Sequence, residues 1–375
     1  MRSSTLYCTN SRIVLLVILS LFFNSCAVFH ARLQMGIPGI NSWKSFGRIS
    51  MPRASEQFCF YEVKDRNILG EKIKVRTNQN DGNPITLKEY LENGPTVAFS
   101  IIRNDSVLYE YYADHYDEGS IVSSFSVSKA LVGITLGCAI QDGFIKSAED
   151  SIVTYLPELR TKKGMDKVKI RHLINHISGL KYGTISLMYY KRNLCNVKNY
   201  VSASDAPGEY FKYDNGNTQL VSIIIERAVG KKFQEYFAER VWTRIGSESE
   251  MSWSIDNKKS NTIKSFCCMA GLNRDFAKLG KLMLQKGKWN GKPIFSEEWY
   301  NTMIKWDLKE NSAWDNEFGW WLGPKEFGYY YAAGLWGQYV IVYPKKNIII
   351  TRFANVNIER SMQVHDRLMM VMDQL

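Results

Sequence analysis

The 375-residue sequence predicts an α+β fold: an antiparallel sheet built from both chain ends, flanked by helices, with a mostly helical domain inserted between the halves. Two observations carry this prediction. Strand-like apolar runs stand near 97–112 and again at 318–353, while the stretch from about 126 to 300 is mostly apolar at helical spacing. With 45% hydrophobic and 23% charged residues the composition is that of an ordinary globular chain, which excludes wholesale disorder and fibrous folds.

At the N-terminus, Arg2 and Arg12 precede an apolar run from Ile13 to Phe23, and Asn24, Ser25 and Cys26 follow. This is the pattern of an export signal over residues 1–25. The run falls short of the roughly 20 apolar residues of a membrane span. Cys26 after Ser25 resembles a bacterial lipobox, so the expectation is an exported lipoprotein, held at the membrane by a lipid on Cys26. Residues 26–90 form a leader with no readable pattern, and the main domain is expected over 91–375.

Val97 to Ile102 reads as a strand, Arg103-Asn104-Asp105 as a turn, and Ser106 to Tyr112 as the return strand of a hairpin. Ser126 to Gln141 is apolar at helical spacing and ends at Asp142-Gly143, with glycine in a C-terminal cap role. Helices are expected at Asn217 to Val229, before Gly230, and at Asp275 to Gln285, before Gly287. Strands follow at Phe318 to Leu322, Tyr329 to Ala333, Gln338 to Tyr343 and Ile348 to Phe353. Pro344-Lys345-Lys346-Asn347 turns between the last two. Ile358 to Asp373 closes the chain as a helix.

The 48 Lys and Arg against 37 Asp and Glu give a net charge of +11, but the positive residues are scattered and accompany no nucleic-acid motif. Nucleic acid is therefore not an expected partner. The seven cysteines are Cys8, Cys26, Cys59, Cys138, Cys195, Cys267 and Cys268, without the spacing of a disulfide scaffold. Adjacent Cys267 and Cys268 lack the partner spacing of a zinc site and read as core residues. His172 and His176 stand four apart, but with no nearby Glu or third ligand they read as structural. No metal and no cofactor is expected. G-x-S-x-G, H-E-x-x-H, G-x-G-x-x-G and Walker A motifs are all missing from the chain.

One constellation remains. Ser126-Val127-Ser128-Lys129 is an S-x-x-K at a helix start, where residues three apart share a face and the Lys129 amine can reach the Ser126 hydroxyl. A serine becomes nucleophilic when a neighbour takes its proton, and a helix N-terminus offers N–H groups to a developing oxyanion. Ser178-Gly179-Leu180-Lys181 fits the same pattern but lies in a glycine-containing turn without a helical face. Tyr213-Asp214-Asn215 is the only Y-x-N in the chain and precedes a helix. A tyrosine beside a lysine can serve as general base and acid, and Asn215 can orient the lysine or a substrate amide. Gly334-Leu335-Trp336-Gly337-Gln338 opens a strand, where glycine lets backbone approach a substrate.

In this order, S-x-x-K, Y-x-N and a glycine-rich strand resemble the serine β-lactamase-related hydrolases. These include class C β-lactamases, D-alanyl-D-alanine peptidases, family VIII esterases and 6-aminohexanoate-dimer hydrolases. Val168 to Leu180 is similar to that family's "vRhLLtHtSGL" segment. Pro207-Gly208-Glu209 and Asn273 to Gly280 add further matches, and the resemblance runs from about residue 95 to the C-terminus.

The resemblance implies a β-lactamase/transpeptidase-like fold, with the helical subdomain at about 126–300. It implies a nucleophile at Ser126, an activating Lys129, a proton shuttle at Tyr213 and a contact to Lys129 or substrate from Asn215. The backbone N–H groups of Ser126 and Gln338 would form the oxyanion hole. Where the family carries K-T-G or H-x-G, this chain has Leu335-Trp336-Gly337. It therefore lacks the cation that would hold a penicillin or D-Ala carboxylate, and Trp336 offers an apolar face instead. The favoured expectation is an esterase or amidase acting on small acyl substrates. A β-lactamase, a D-Ala-D-Ala peptidase, a penicillin-binding sensor with little turnover and an idle scaffold stay open.

Overall fold

The computed structural model describes residues 38–77, 82–182, 193–305, 316–356 and 361–375. Cys8, Cys26 and the whole expected signal lie outside the described residues.

Residues 38–77 and 82–90 are folded onto the rest of the molecule. Strand β1 (Arg48–Met51) and strand β2 (Tyr61–Glu62) come from this leader. The predicted hairpin follows as β3 (Thr96–Arg103) and β4 (Ser106–Tyr112), then β5 (Ile121–Ser123). Helix α1 (Ser128–Gln141) comes next, then α2 (Asn215–Val229), β6 (Met251–Ser254), β7 (Met269–Leu272) and α3 (Asn273–Leu284). The C-terminal part supplies β8 (Asn316–Glu317), β9 (Trp320–Leu322), β10 (Tyr330–Gly334), β11 (Gln338–Tyr343), β12 (Ile348–Ala354) and α4 (Ser361–Asp373).

Eight strands form one sheet in the order β8-β9-β10-β11-β12-β3-β4-β2. The two chain ends meet where β12 pairs antiparallel with β3, Ile350 opposite Ile101. Only β2 runs parallel to its neighbour, β4. The run Ile348-Ile349-Ile350 is buried throughout because both faces of the sheet are covered. Ile349 packs with Ala277 of α3 on one face, and Ile348 and Ile350 pack with Val364 and Leu368 of α4 on the other. A strand's period of two divides neighbouring side chains between those layers.

A second, four-stranded sheet has the order β1-β6-β7-β5, and its two central strands, β6 and β7, come from the region read from sequence as helical. Its strands are short, and β5 is only three residues long, too little for alternation to register. Helix α1 is buried over twelve of its fourteen residues, so its apolar residues run all round rather than along a stripe. It packs against α2 in the main core. Helix α2 begins at Asn215, two residues before the expected start, because the Asp214 carboxylate accepts the Gly216 N–H at 2.9 Å as its N-cap.

Candidate active site

Ser126 does not open the α-helix. It sits in a 3-10 turn, Phe125–Val127, between β5 and α1. The turn is pinned from behind: the Ser124 N–H donates to the Met269 carbonyl at 2.8 Å, and the Ser124 and Ser128 hydroxyls bond each other at 2.8 Å. Phe125, next to the nucleophile candidate, holds φ at 44°, a conformation rare outside glycine. Its ring is buried, whereas Ser126 is only partly covered. The local strain thus sits directly beside the candidate nucleophile.

In this tight turn residues three apart nearly eclipse, and Lys129 Nζ lies 2.9 Å from Ser126 Oγ. Lys129 is 2% exposed. Its Nζ also donates to the Phe266 carbonyl at 2.8 Å and lies 4.8 Å from the centre of the Tyr213 ring. The structure thus brings Ser126, Lys129 and Tyr213 together. The Tyr213 hydroxyl makes no hydrogen bond to Ser126 or Lys129 among the described residues; the lysine meets the ring instead. Asn215 is buried in the first turn of α2, and its side-chain amide does not bond Lys129.

Tyr213 stacks with His176 (ring centroids 4.5 Å apart) and Trp321 (6.0 Å), and Phe211 meets Trp321 edge-on. His176 Nδ1 accepts the Asp214 backbone N–H at 3.2 Å. Burial, and then the charge of Lys129, pull its pKa down to about 3, so the ring is a neutral acceptor. Burial in turn pushes the Asp214 carboxyl above its ordinary range. His172 lies outside this stack, its Nδ1 accepting the Lys169 N–H. The second S-x-x-K is not a site: Ser178 bonds Asn217 at 2.6 Å, and Gly179 is left-handed.

The Gly334–Gln338 segment is the tight connection between β10 and β11, with Gly334 opposite Gln338. It presses against the Ser126 turn so closely that a Cβ on Gly334 would stand 2.6 Å from the Ser124 carbonyl oxygen. Gly337 has φ 79°, and its carbonyl accepts Arg352 Nη1 at 2.7 Å. The Gln338 side chain also donates to the Leu335 carbonyl at 2.9 Å. It is fully buried and ties the loop to β12 through the Ala354 N–H and carbonyl, both at 2.8 Å.

Trp336 is also held, its indole N–H donating to the Pro38 carbonyl at 2.7 Å, which ties the expected apolar group to the leader. Leu335, 42% exposed, is the apolar tip. Arg352, on β12 beside the loop, is fully buried beneath it and bonds Thr96 Oγ1 at 3.0 Å as well as Gly337.

Sequence reasoning missed three neighbours. His176 belongs to a recognised segment but was read as structural. Phe266 acts through its carbonyl, for which sequence has no signal. Trp321 reaches the site through sheet register alone. Cys267 and Cys268 are buried as expected, but they are also bonded to each other, a pairing that an odd cysteine count with no scaffold spacing did not suggest.

Residues 86–372 match the Beta-lactamase family. The chain belongs to that family. Among curated members it is similar to a 6-aminohexanoate-dimer hydrolase of Paenarthrobacter ureafaciens, 22% identical over 298 residues, covering 72% of this chain and 75% of that one. A Bacillus anthracis structure provisionally named a 6-aminohexanoate-dimer hydrolase superposes with a TM-score of 0.77 at 22% identity, over 88% of this chain and 90% of that one. EstCE1, a hydrolase with promiscuous acyltransferase activity, gives 0.61 at 16% identity, over 75% and 95%. A class C beta-lactamase mutant also gives 0.61 at 16%, over 77% and 94%. The β-lactamase/transpeptidase-like fold expected from the motifs is therefore the observed one, and this Beta-lactamase family member is a serine hydrolase.

Proposed function

We propose that the enzyme is an esterase or amidase for small, neutral acyl substrates, working through an acyl-enzyme on Ser126. The observation that carries this reading is the buried Lys129 amine, 2.9 Å from the Ser126 hydroxyl and steered there by the Phe266 carbonyl. Ser126 Oγ attacks the acyl carbon as its proton passes to Lys129. The oxyanion that forms takes hydrogen bonds from the Ser126 and Gln338 backbone N–H groups. Collapse breaks the bond to the alcohol or amine, which leaves with a proton delivered through Tyr213. Water then attacks the Ser126 ester by the reverse proton path and frees the acid.

The preference for neutral substrates rests on the β10–β11 loop. Its tip offers Leu335, and Arg352 is turned under the loop onto Gly337 and Thr96. An anionic substrate would bury a carboxylate there without a partner, which is costly. Losing a charge-assisted hydrogen bond costs about 1.5–3 kcal/mol, roughly ten- to a hundredfold in kcat/KM. The test compares kcat/KM for p-nitrophenyl butyrate and nitrocefin on one preparation. The ester is expected to win, and nitrocefin turnover at an equal or greater value would make the protein a β-lactamase.

The N-terminal pattern adds a location: export and membrane attachment through a lipid on Cys26. Cys26→Ala is expected to release the protein from membranes and leave an unprocessed precursor; unchanged fractionation and size would remove that reading.

A further inference from the structure

We propose that the disulfide between Cys267 and Cys268 is a positioning element for Lys129, holding the Phe266 carbonyl against its amine. The inference rests on the serine-hydrolase reading above, since it concerns the same lysine.

The two sulfurs are bonded and the Cα atoms lie 3.7 Å apart, in a pair buried to 0% and 4% exposure. Cys59, Cys138 and Cys195 are free thiols, so the bond is confined to this place among the described residues. Bonding adjacent residues closes a small covalent ring that contains their peptide group. Cys268 holds φ at 70°, a left-handed conformation unfavourable for a residue with a Cβ, and the ring is what restrains it there.

The ring is fixed on both sides. Trp253 Nε1 donates to the Cys267 carbonyl at 2.7 Å, and the Cys267 N–H donates to the Lys264 carbonyl at 3.0 Å. One residue before the ring, the Phe266 carbonyl receives Lys129 Nζ at 2.8 Å. One residue after it, Met269 accepts the Ser124 N–H at 2.8 Å and donates to Ser128 Oγ at 3.4 Å. The disulfide therefore bridges two contacts that both grip the turn carrying Ser126.

A lysine side chain has four flexible carbons, so its amine is placed by its partners rather than by its own rotamers. Lys129 has two hydrogen-bonding partners, Ser126 Oγ and the Phe266 carbonyl. When the ring opens, Cys268 is free to leave its left-handed conformation, the Phe266 carbonyl moves with the backbone, and the amine loses its aim at Ser126. Opening by a dithiol is balanced: its thiolate displaces one cysteine sulfur, its second thiol displaces the reagent from the other, both cysteines end as thiols, and the dithiol ends as its own cyclic disulfide.

The test uses the full chain. Free thiols are alkylated in denaturant without reduction, and the tryptic peptide Ser265–Arg274 is weighed. It should carry no alkyl group and two hydrogens fewer than its dithiol form. The dithiol enzyme is made by unfolding and refolding in dithiothreitol, so burial does not protect the bond, and Cys267→Ala/Cys268→Gly supplies a second ring-free enzyme whose glycine tolerates the left-handed backbone.

Both should hydrolyse p-nitrophenyl butyrate with kcat lowered about tenfold or more and KM within about twofold, since a misplaced catalytic group costs the chemical step and not binding. Oxidised glutathione should restore the refolded wild type and leave the double variant unchanged. An alkylated Ser265–Arg274 peptide, or unchanged kcat in either ring-free form, overturns the proposal. A wild type that neither turns over ester nor takes a fluorophosphonate overturns the hydrolase reading itself, and this inference with it, whatever the peptide shows.

Discussion

Ser126 and Lys129 stand close enough to behave as one unit, and their mutational effects should show it. Ser126→Ala or Lys129→Ala should each lower kcat by about 10²–10⁴, and the double variant should be little worse than either alone. Steady-state kinetics on the three proteins decides this; additive losses would separate the two residues. His176 makes a second prediction at this scale. Its unfolded pKa is near 6.5 and its folded pKa about 3. Between those values the unfolded chain binds the extra proton, so stability falls as pH drops through that window, by up to about 1.4 kcal/mol per unit. His176→Asn, tolerated at its φ of 58°, removes the titration. Denaturation midpoints at neutral and mildly acid pH should converge in the variant and diverge in the wild type. The grouping of Ser126, Lys129 and Tyr213 was legible because it rests on side chains in recognisable motifs. Phe266 was not, because its part is played by a carbonyl that any residue has.

The elements around the site were legible in proportion to their length. β3, β4, β11 and β12 are six to eight residues long and mostly apolar, and each appears within a residue or so of its expected span. The four-stranded sheet carries no clear signal because its strands are three or four residues long and include Gly and Ser. The helix start at Ser126 was also displaced, because apolar periodicity does not distinguish a 3-10 turn from the first turn of an α-helix. Gly334 tests how tightly these elements must meet. Its Cβ would face a backbone oxygen at 2.6 Å, which no rotamer change relieves. Gly334→Ala should move the β10–β11 loop off the Ser126 turn and lower kcat by roughly tenfold to a hundredfold in a folded protein. Unchanged kcat would mean that the loop is not part of the oxyanion site.

At the scale of the molecule, the leader that sequence left unread is an integral layer. β1 edges one sheet, β2 edges the other, Ile40 is fully buried, and the Pro38 carbonyl holds Trp336. It was illegible because its segments are short and take partners distant in sequence, Ser106 opposite Tyr61 and Ser254 opposite Arg48. The Asn273 to Gly280 segment was recognised by resemblance, and the structure shows what it does: Arg274 Nε reaches Glu110 at 2.9 Å, and its Nη2 reaches Glu62 at 2.8 Å. Helix α3 is thereby fastened to both the β3–β4 hairpin and the leader. Arg274→Ala leaves the buried Glu110 carboxylate without this partner and should cost about 3–5 kcal/mol. Chemical denaturation measures that loss, while the folded fraction should retain its kcat; a stability change under about 1 kcal/mol would show that Arg66, 3.8 Å from Glu110, suffices alone.

The proposed acyl-enzyme places the covalent bond on Ser126 Oγ. Mass spectrometry of the protein after exposure to a fluorophosphonate tests it most directly. One adduct is expected, mapped to the peptide containing Ser126, absent in Ser126→Ala and slowed in Lys129→Ala. An adduct on Ser178 or any other residue, or labelling that persists at wild-type rate in Ser126→Ala, would contradict it.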